Sequence, residues 1–328
     1  MRLLLLSENI IATSLLAVGN LCNQSPYCVN DFIEKGILDF IDKYFTVFRP
    51  NSEVITDSCF VFCSFAENIT TTSPVFIKSF NLIGKFCQVP NGQVISDIIR
   101  AMNALLKRNI YTDVVIEMGF EDFCVQALQR SFVFEINEAA LKTLLTYVLK
   151  CTSLPKYQTI INTVAPFLAH KNMILRRLTV LILSDVVYSS NENIISFMLS
   201  GNIMPKMCQM ALKDDSVSVR NEAFFFISNC LLGATNFEPL ISQCVVEAIS
   251  RGLVSDNMEI AGSMLKGAIR LVSKCGANNV ERLANAFEMC GLFDNIGLLI
   301  NSRDDELSNN AERLVSMLRV VLPETDLD

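Results

Sequence analysis

A short phrase of apolar residues around a glycine recurs along the chain at nearly constant spacing. Its four clearest copies hold Gly36, Gly119, Gly201 and Gly291, which are 83, 82 and 90 residues apart. Weaker copies without glycine lie between them, at Asn81, Asn162 and Gln243. The series therefore repeats about every 42 residues, and self-similarity at a fixed period of this length predicts an array of stacked repeats.

Each period predicts three helices. A short helix precedes the glycine, a second follows it, as over 37–44 and 203–212, and a longer third helix follows a polar loop, as over 217–232 and 259–274. Glycine suits the turn between the first two helices because it adopts left-handed backbone angles without strain. No alternating strand pattern stands out. A period near 42 in a helical chain is typical of armadillo or HEAT arrays. Of these we predict an all-α fold, a right-handed armadillo-repeat superhelical solenoid of about seven to eight three-helix repeats.

The repeats fill the sequence, so we predict a single armadillo-repeat domain over 1–328. A partial repeat over 1–24 begins it, an atypical capping repeat over 277–322 ends it, and residues 323–328 form an acidic tail that we expect to be disordered. Such repeats bury their apolar faces against each other, which explains a hydrophobic fraction of 51% without a membrane. We expect the third helices to line the concave groove of the solenoid.

Charge and cysteine content exclude several classes of function. The net charge of −7 argues against a nucleic-acid partner, which requires net Lys and Arg. The twelve cysteines form no CxxC pair and His170 is the only histidine, so we expect no metal site and no cofactor. Cysteines spread singly through apolar runs indicate small buried side chains in a reducing compartment. No P-loop, GxGxxG, GxSxG or HExxH motif occurs, and we expect no enzymatic activity.

The N-terminus begins like a signal peptide, with four leucines after Arg2. Glu8 then interrupts the run with a charge, and the uncharged stretch over 10–28 becomes polar in its second half. A membrane span needs about 20 predominantly apolar residues. We therefore predict no membrane insertion.

Three third-helix segments share a phrase of charged and small residues that ends in Asn or Asp. Val219–Asn229 is the fullest copy, Ile174–Asp185 is a further copy, and Val18–Asn20 matches only a Gly-Asn variant of its end. The chain ends with a Gly-Leu core from Gly291, a polar spacer and a closing helix. These features resemble the importin-α (karyopherin-α) family, in which Glu-Ala precedes Trp-x-x-x-Asn. The resemblance covers essentially the whole chain, which aligns from inside the family's third repeat to its tenth.

The resemblance implies that the chain binds basic nuclear localisation segments in its concave groove, as an adaptor in nuclear protein import between cytoplasm and nucleus. In that family the asparagine amide clamps the peptide backbone, and the tryptophans form slots for the stems of Lys and Arg. Residues four apart lie on one helix face, so each third helix presents one slot and one clamp.

This chain has no tryptophan. The slot positions hold Leu16, Phe60, Arg100, Lys142, Leu181, Phe225 and Lys266, and the clamp positions hold Asn20, Ser64, Ala104, Thr146, Asp185, Asn229 and Arg270. Successive pairs are 44, 40, 42, 39, 44 and 41 residues apart, so the register is regular even where the residue types differ. The candidate groove residues are Asn20, Phe60, Ser64, Lys142, Leu181, Asp185, Phe225 and Asn229.

Phe225 with Asn229 is the best-preserved pair. Phe224, Phe225 and Phe226 are consecutive, so we expect one of them, Phe225, to face away from the core. Arg100 would place a positive charge in a slot made for positive side chains. Asp185 fits either the head group of a basic ligand or an ordinary surface carboxylate, and we expect Arg176 and Arg177 on a solvated helix face.

The resemblance also implies importin-β and the export receptor for importin-α as partners. The family's basic N-terminal arm, which binds importin-β, has no counterpart in the first 30 residues, where Arg2 is the only basic residue. Residues 304–320 correspond to the repeat that contacts the export receptor. The alternative is an armadillo scaffold that binds a different, non-basic partner, as Arg100, Lys142, Lys266 and Arg270 would favour.

Overall fold

A computed structural model describes residues 7–50, 52–70, 72–150, 154–189 and 192–319. The chain divides into two compact units, unit 1 over Met1–Cys151 and unit 2 over Thr152–Asp328. Every regular element in the described ranges is helical.

Unit 1 contains a partial repeat followed by three complete ones. A lone third helix comes first, and each later repeat adds a short first helix, a second helix and a longer third helix. The helices are α1 (Glu8–Gln24), α2 (Cys28–Glu34), α3 (Ile37–Tyr44), α4 (Glu53–Asn68), α5 (Pro74–Lys78), α6 (Asn81–Phe86), α7 (Gly92–Lys107), α8 (Thr112–Glu117), α9 (Phe120–Arg130) and α10 (Phe134–Val148).

Unit 2 contains four further repeats. The helices are α11 (Leu154–Val164), α12 (Met173–Ser189), α13 (Glu192–Ser200), α14 (Ile203–Lys213), α15 (Val217–Gly233), α16 (Gln243–Leu253), α17 (Met258–Lys274), α18 (Ala277–Met289), α19 (Leu292–Ile300) and α20 (Asp305–Arg319). Two repeats depart from the three-helix pattern in their described part. In the first, a 3-10 helix over Ala165–Ala169 lies between α11 and α12, and in the third, a 3-10 turn over Glu238–Leu240 precedes α16.

The turns and loops form for local reasons. Gly36, Gly119 and Gly291 have φ values of 79°, 66° and 69° and stand directly before the second helix of their repeats, as predicted. Gly201, in the third of the four glycine copies, is not left-handed, so that prediction is wrong there. Gly201 comes one position earlier in its two-residue link, and Asn202 before α14 has an ordinary φ of −84°.

Polar loop residues start the third helices. The side chain of Ser52 accepts a hydrogen bond from the backbone N–H of Ile55, and Asn91 accepts from Gln93 at the start of α7. Asn257 accepts from Glu259 in the same way at the start of α17. Each bond satisfies a backbone donor that the first turn of a helix leaves unpaired.

The third helices stack on one another within each unit. In unit 1, α1 packs on α4, α4 on α7 and α7 on α10, and in unit 2, α12 packs on α15, α15 on α17 and α17 on α20. The core between repeats is rich in phenylalanine: the ring of Phe62 stacks on Phe76 with centroids 5.5 Å apart, and Phe226 is fully buried. This repetition confirms the all-α armadillo class and the predicted helices, including 37–44 without change.

The cysteines behave as predicted for small buried side chains. The eleven in the described ranges are free thiols, seven buried and four half-buried. Burial raises the pKa of Cys22 to about 11 and that of Cys87 to about 12, so these thiols stay protonated at neutral pH. The predicted acidic tail and residues 1–6 of the partial repeat lie outside the described residues. The single-domain assignment remains a prediction.

Candidate functional site

The slot and clamp residues lie on the third helices, whose partly exposed side chains we call the third-helix face. In unit 1 this face is largely closed at its second slot, Phe60. A Cβ added to Gly19 would lie 2.5 Å from the ring of Phe60, so the ring rests directly against the backbone of α1. Ser64, a predicted clamp, is 1% exposed and buried between α1 and α4. Asn20 is exposed beside them, without a hydrogen bond among the described residues.

The two cationic slots of unit 1 are neutralised from within the same helix. Arg100 pairs with Asp97 one turn earlier on α7. Lys142 Nζ lies 2.7 Å from the Glu138 carboxylate on α10. The clamp position of α10, Thr146, is buried and donates to Asn103 Oδ1 at 2.7 Å. These positions therefore present ion pairs and a buried hydroxyl, not empty slots.

In unit 2, α12 and α15 lie side by side in the register that the slot spacing predicts. Arg177 on α12 pairs with Glu222 on α15 at 3.2 Å, and Asn229 Nδ2 donates to Ser184 Oγ at 3.0 Å. Both pairs are 45 residues apart, close to the spacing of 44 between Leu181 and Phe225. The pairs Leu181–Asp185 and Phe225–Asn229 are therefore adjacent on one face.

Phe225 is the partly exposed residue of the three consecutive phenylalanines, as predicted. Phe224 is 6% exposed and Phe226 is fully buried, whereas Phe225 is half-buried on the third-helix face. Leu181 and Asn229 are half-buried as well. The bond to Ser184 uses one amide hydrogen of Asn229, which leaves its other N–H and its carbonyl oxygen for a ligand backbone.

Asp185 has an unusual electrostatic environment. Burial, and to a smaller extent the nearby Glu222 carboxylate, raise its pKa to about 6. Asp185 forms no ion pair in the part of the chain that the structure describes. Ser184 and Glu222 were not among the predicted groove residues, although both lie within the third-helix segments 174–185 and 219–229. A cation placed at this point would relieve the repulsion between the two carboxylates.

The next third helix, α17, is displaced along α15 relative to the predicted register. Ser228 Oγ donates to the backbone carbonyl of Ser263, 35 residues away, and Arg270 donates to that of Ala234, 36 residues away. The predicted spacing of 41 between Phe225 and Lys266 is longer, so Lys266 lies nearer the level of Asn229. Its ammonium is 2.8 Å from Glu306 on α20.

Arg176 does not lie on a solvated face, which corrects the sequence analysis. Its guanidinium donates to both carboxylate oxygens of Asp214, at 2.7 and 2.9 Å, and to the backbone carbonyls of His170 and Lys171, both at 3.0 Å. Its side chain is only 15% exposed and that of Asp214 only 6%. Arg177, in contrast, is half exposed. Arg176 therefore joins the loop before α12 to the loop before α15.

No three His, Cys, Asp or Glu side chains in the described ranges lie close enough together to hold a metal ion. No single described helix is long and apolar enough to cross a membrane, while the bent pair 278–289 and 292–300, at 86°, meets the length and composition requirement together. His170 Nδ1 accepts from the backbone N–H of Asn172 at 3.0 Å.

Solved structures with a similar fold include engineered proteins and designed armadillo repeat proteins. An engineered protein from the Northeast Structural Genomics Consortium aligns with 94% of this chain and 74% of its own, with a TM-score of 0.69 and 15% identity. A designed armadillo repeat protein aligns with 72% of this chain and 98% of its own, with a TM-score of 0.59 and 14% identity. Another designed armadillo repeat protein, solved in complex with the peptide (KR)4, has the same coverage, a TM-score of 0.58 and 14% identity.

No protein-family model matches the sequence, and the comparison with curated proteins finds no match. At these identities the likeness concerns the backbone. Together with the stacked third helices of both units, it shows that the chain has the armadillo-repeat fold.

Proposed function

We propose that this chain binds an extended basic segment of a partner protein across α12 and α15, without catalysing a reaction. The observation that carries the proposal is the pairing of Leu181 and Asp185 with Phe225 and Asn229 on adjacent third helices in matching register. A related fold supports it, since one designed armadillo repeat protein was solved with an alternating Lys-Arg peptide.

Each side chain has a distinct role in this proposal. The stem of a Lys or Arg packs between Leu181 and Phe225, where the phenylalanine ring attracts the cation. The cationic head reaches Asp185, which lacks a partner in the described residues and lies near Glu222. The Asn229 amide, held by Ser184, bonds to the ligand backbone.

We further propose, on the importin-α resemblance, that the basic segment is a nuclear localisation signal and that the protein acts in import between cytoplasm and nucleus. Importin-β and the export receptor would then be partners, the latter at the last repeat around α20. An import assay in permeabilised cells tests this part, with a fluorescent cargo carrying a basic signal. Cargo that stays outside the nucleus when this chain replaces importin-α would reject the adaptor role and leave the peptide site untouched.

The binding test is a fluorescence-anisotropy titration of the full chain with a lysine-rich peptide. We expect saturable binding that Phe225→Ala and Asn229→Ala each weaken about tenfold, the effect of losing about 1.4 kcal/mol. Phe132→Ala and Asn193→Ala are matched controls, because both side chains are exposed and lie off the third helices. Equal affinities for all five proteins would reject the site.

A second candidate is a scaffold for a non-basic partner that uses unit 1. The favouring observation is that the slots of α7 and α10 hold Arg100 and Lys142, each paired with a carboxylate. The same titration with an acidic peptide separates the candidates. Tighter binding of the acidic peptide, insensitive to Phe225→Ala, would favour this alternative.

A further inference from the structure

A wide cleft of unit 2 lies at the edge formed by the loops between second and third helices. It has a volume of about 780 Å³ and lies between residues 211–217 and 254–257. A second cleft of about 310 Å³ continues it and shares Lys213, Asp214 and Asp215. Ligand pockets typically measure about 300–1,000 Å³, so the larger cleft can hold a small molecule of considerable size.

Three cations from three helices line the larger cleft. Lys213 ends α14, Arg220 lies in the first turn of α15, and Arg251 lies near the end of α16. Arg220 Nη1 donates to the backbone carbonyl of Asp214 at 2.6 Å, which fixes the guanidinium while leaving its other N–H groups available. Arg251 is exposed and forms no ion pair within the described ranges.

Three carboxylates line the same walls and match the three cations in number, but one of them, Asp214, is already bound by Arg176, which lies outside the larger cleft. Asp214 already accepts from Arg176 twice and from the backbone N–H of Ser216 at 2.9 Å. Desolvation opposes its ionisation, yet these hydrogen bonds hold the pKa of Asp214 below its usual value. Asp215 also lies near Arg176, whose pKa Asp214 and Asp215 raise together. Asp256 is exposed and forms no ion pair within the described ranges.

We propose that this cleft binds a small polyphosphorylated molecule whose phosphate groups contact Arg220 and Arg251. A planar guanidinium matches two phosphate oxygens at once, and Lys213 adds a point charge. Arg176 and Lys206 of the adjoining cleft add two cations, so five cations and three carboxylates line the two clefts together, in a chain whose net charge is −7. Neither cleft includes Leu181, Asp185, Phe225 or Asn229, and the ligand is an anion, so this site goes beyond the basic-peptide function proposed above.

The test is isothermal titration calorimetry of the full chain with inositol hexakisphosphate at near-physiological salt. We expect one site of micromolar affinity, which Arg220→Gln and Arg251→Gln each weaken about tenfold. Arg282→Gln is the matched control, because Arg282 is an exposed arginine on α18 outside this cleft. Arg251→Gln keeps the test valid where Arg220→Gln impairs folding, since Arg251 makes no bond to the loop.

Two further probes decide the chemistry. Hexa-aspartate should bind at least tenfold more weakly than inositol hexakisphosphate, and equal binding would overturn the preference for phosphate. A phosphoserine peptide should also bind more weakly, and tighter binding would reassign the cleft to a protein partner. Affinity that Arg251→Gln and Arg282→Gln reduce equally would overturn the site altogether. The lysine-rich peptide of the proposed function has its own readout through Phe225→Ala, so the two proposals fail separately.

Discussion

The third-helix faces of the two units both carry charged residues, at slot positions in unit 1 and at the clamp position of α12 in unit 2, and the surroundings of these charges differ. In unit 1, Arg100 and Lys142 meet carboxylates of their own helices. In unit 2, Asp185 lies beside another carboxylate and no described cation pairs with it. The position in the repeat therefore determines where a side chain lies, and the neighbouring residues determine whether its charge is available to a ligand.

Ion pairs of unequal burial give the largest expected contrast. Arg176→Met should lower the free energy of unfolding by about 3 kcal/mol, because it leaves the buried Asp214 carboxylate unpaired. Arg100→Met should cost less than about 1 kcal/mol, since Arg100 is half exposed. Urea denaturation followed by circular dichroism measures both. Equal losses of unfolding free energy would show that burial does not determine how much each ion pair contributes to stability.

The closed slot of unit 1 can be tested at Gly19. Gly19→Ala should destabilise the chain by about 1–3 kcal/mol, because the new methyl group would meet the Phe60 ring at 2.5 Å. Gly84→Ala is the matched control, since α6 leaves open space there, and it should stabilise by about 0.4–1 kcal/mol. Thermal melts of the two variants that shift in the same direction would contradict the close contact.

The open site of unit 2 should respond to pH. Because the pKa of Asp185 is raised to about 6, its carboxyl is mostly neutral at about pH 5 and ionised at about pH 7.5. A basic peptide should therefore bind about tenfold more tightly at the higher pH. Anisotropy titrations at both pH values measure this.

Asp185→Asn is the control for that dependence, because it keeps the shape and removes the titration. It should bind with one affinity at both pH values. The raised pKa also means that ionisation of Asp185 costs stability, which is lost as pH rises from about 4 to about 6. A wild-type affinity that does not change with pH would exclude Asp185 from the binding site.

The smallest effect should come from opening unit 1. The double variant Arg100→Gln and Lys142→Gln removes both cations and leaves Asp97 and Glu138 free to attract a basic ligand. Exposed ion pairs contribute about 0.2–1 kcal/mol, so we expect about a threefold gain in affinity for the lysine-rich peptide. Lys266→Gln, which frees Glu306 in unit 2, provides the comparison. A loss of affinity in the double variant would contradict the neutralised-slot interpretation.

Much of the fold could be predicted because it depends on local chemistry. The 42-residue period, the glycine turns and the polar caps define where helices begin and end, and α15 extends over 217–233 where 217–232 was predicted. Gly201 shows where local prediction fails. It lies one residue further from the second helix than the other turn glycines, and its backbone is not left-handed.

The candidate site was predicted only in part. The run of three phenylalanines identified Phe225 as the exposed one, because helical geometry alone prevents all three from facing the core. The burial of Ser64 and Thr146 was not visible in the sequence, because it depends on how closely the neighbouring third helix approaches. The same is true of Arg176, whose partner is 38 residues away in sequence.

The sequence by itself determined that this chain forms stacked three-helix repeats, since periodic apolar residues and turn residues act within a few residues of each other. Which charges are neutralised, and how far each third helix is displaced along the preceding third helix, depends on the tertiary structure. The reason is physical: an ion pair or a buried carboxylate depends on distances of a few ångströms between helices, which the spacing of residues along the chain does not specify.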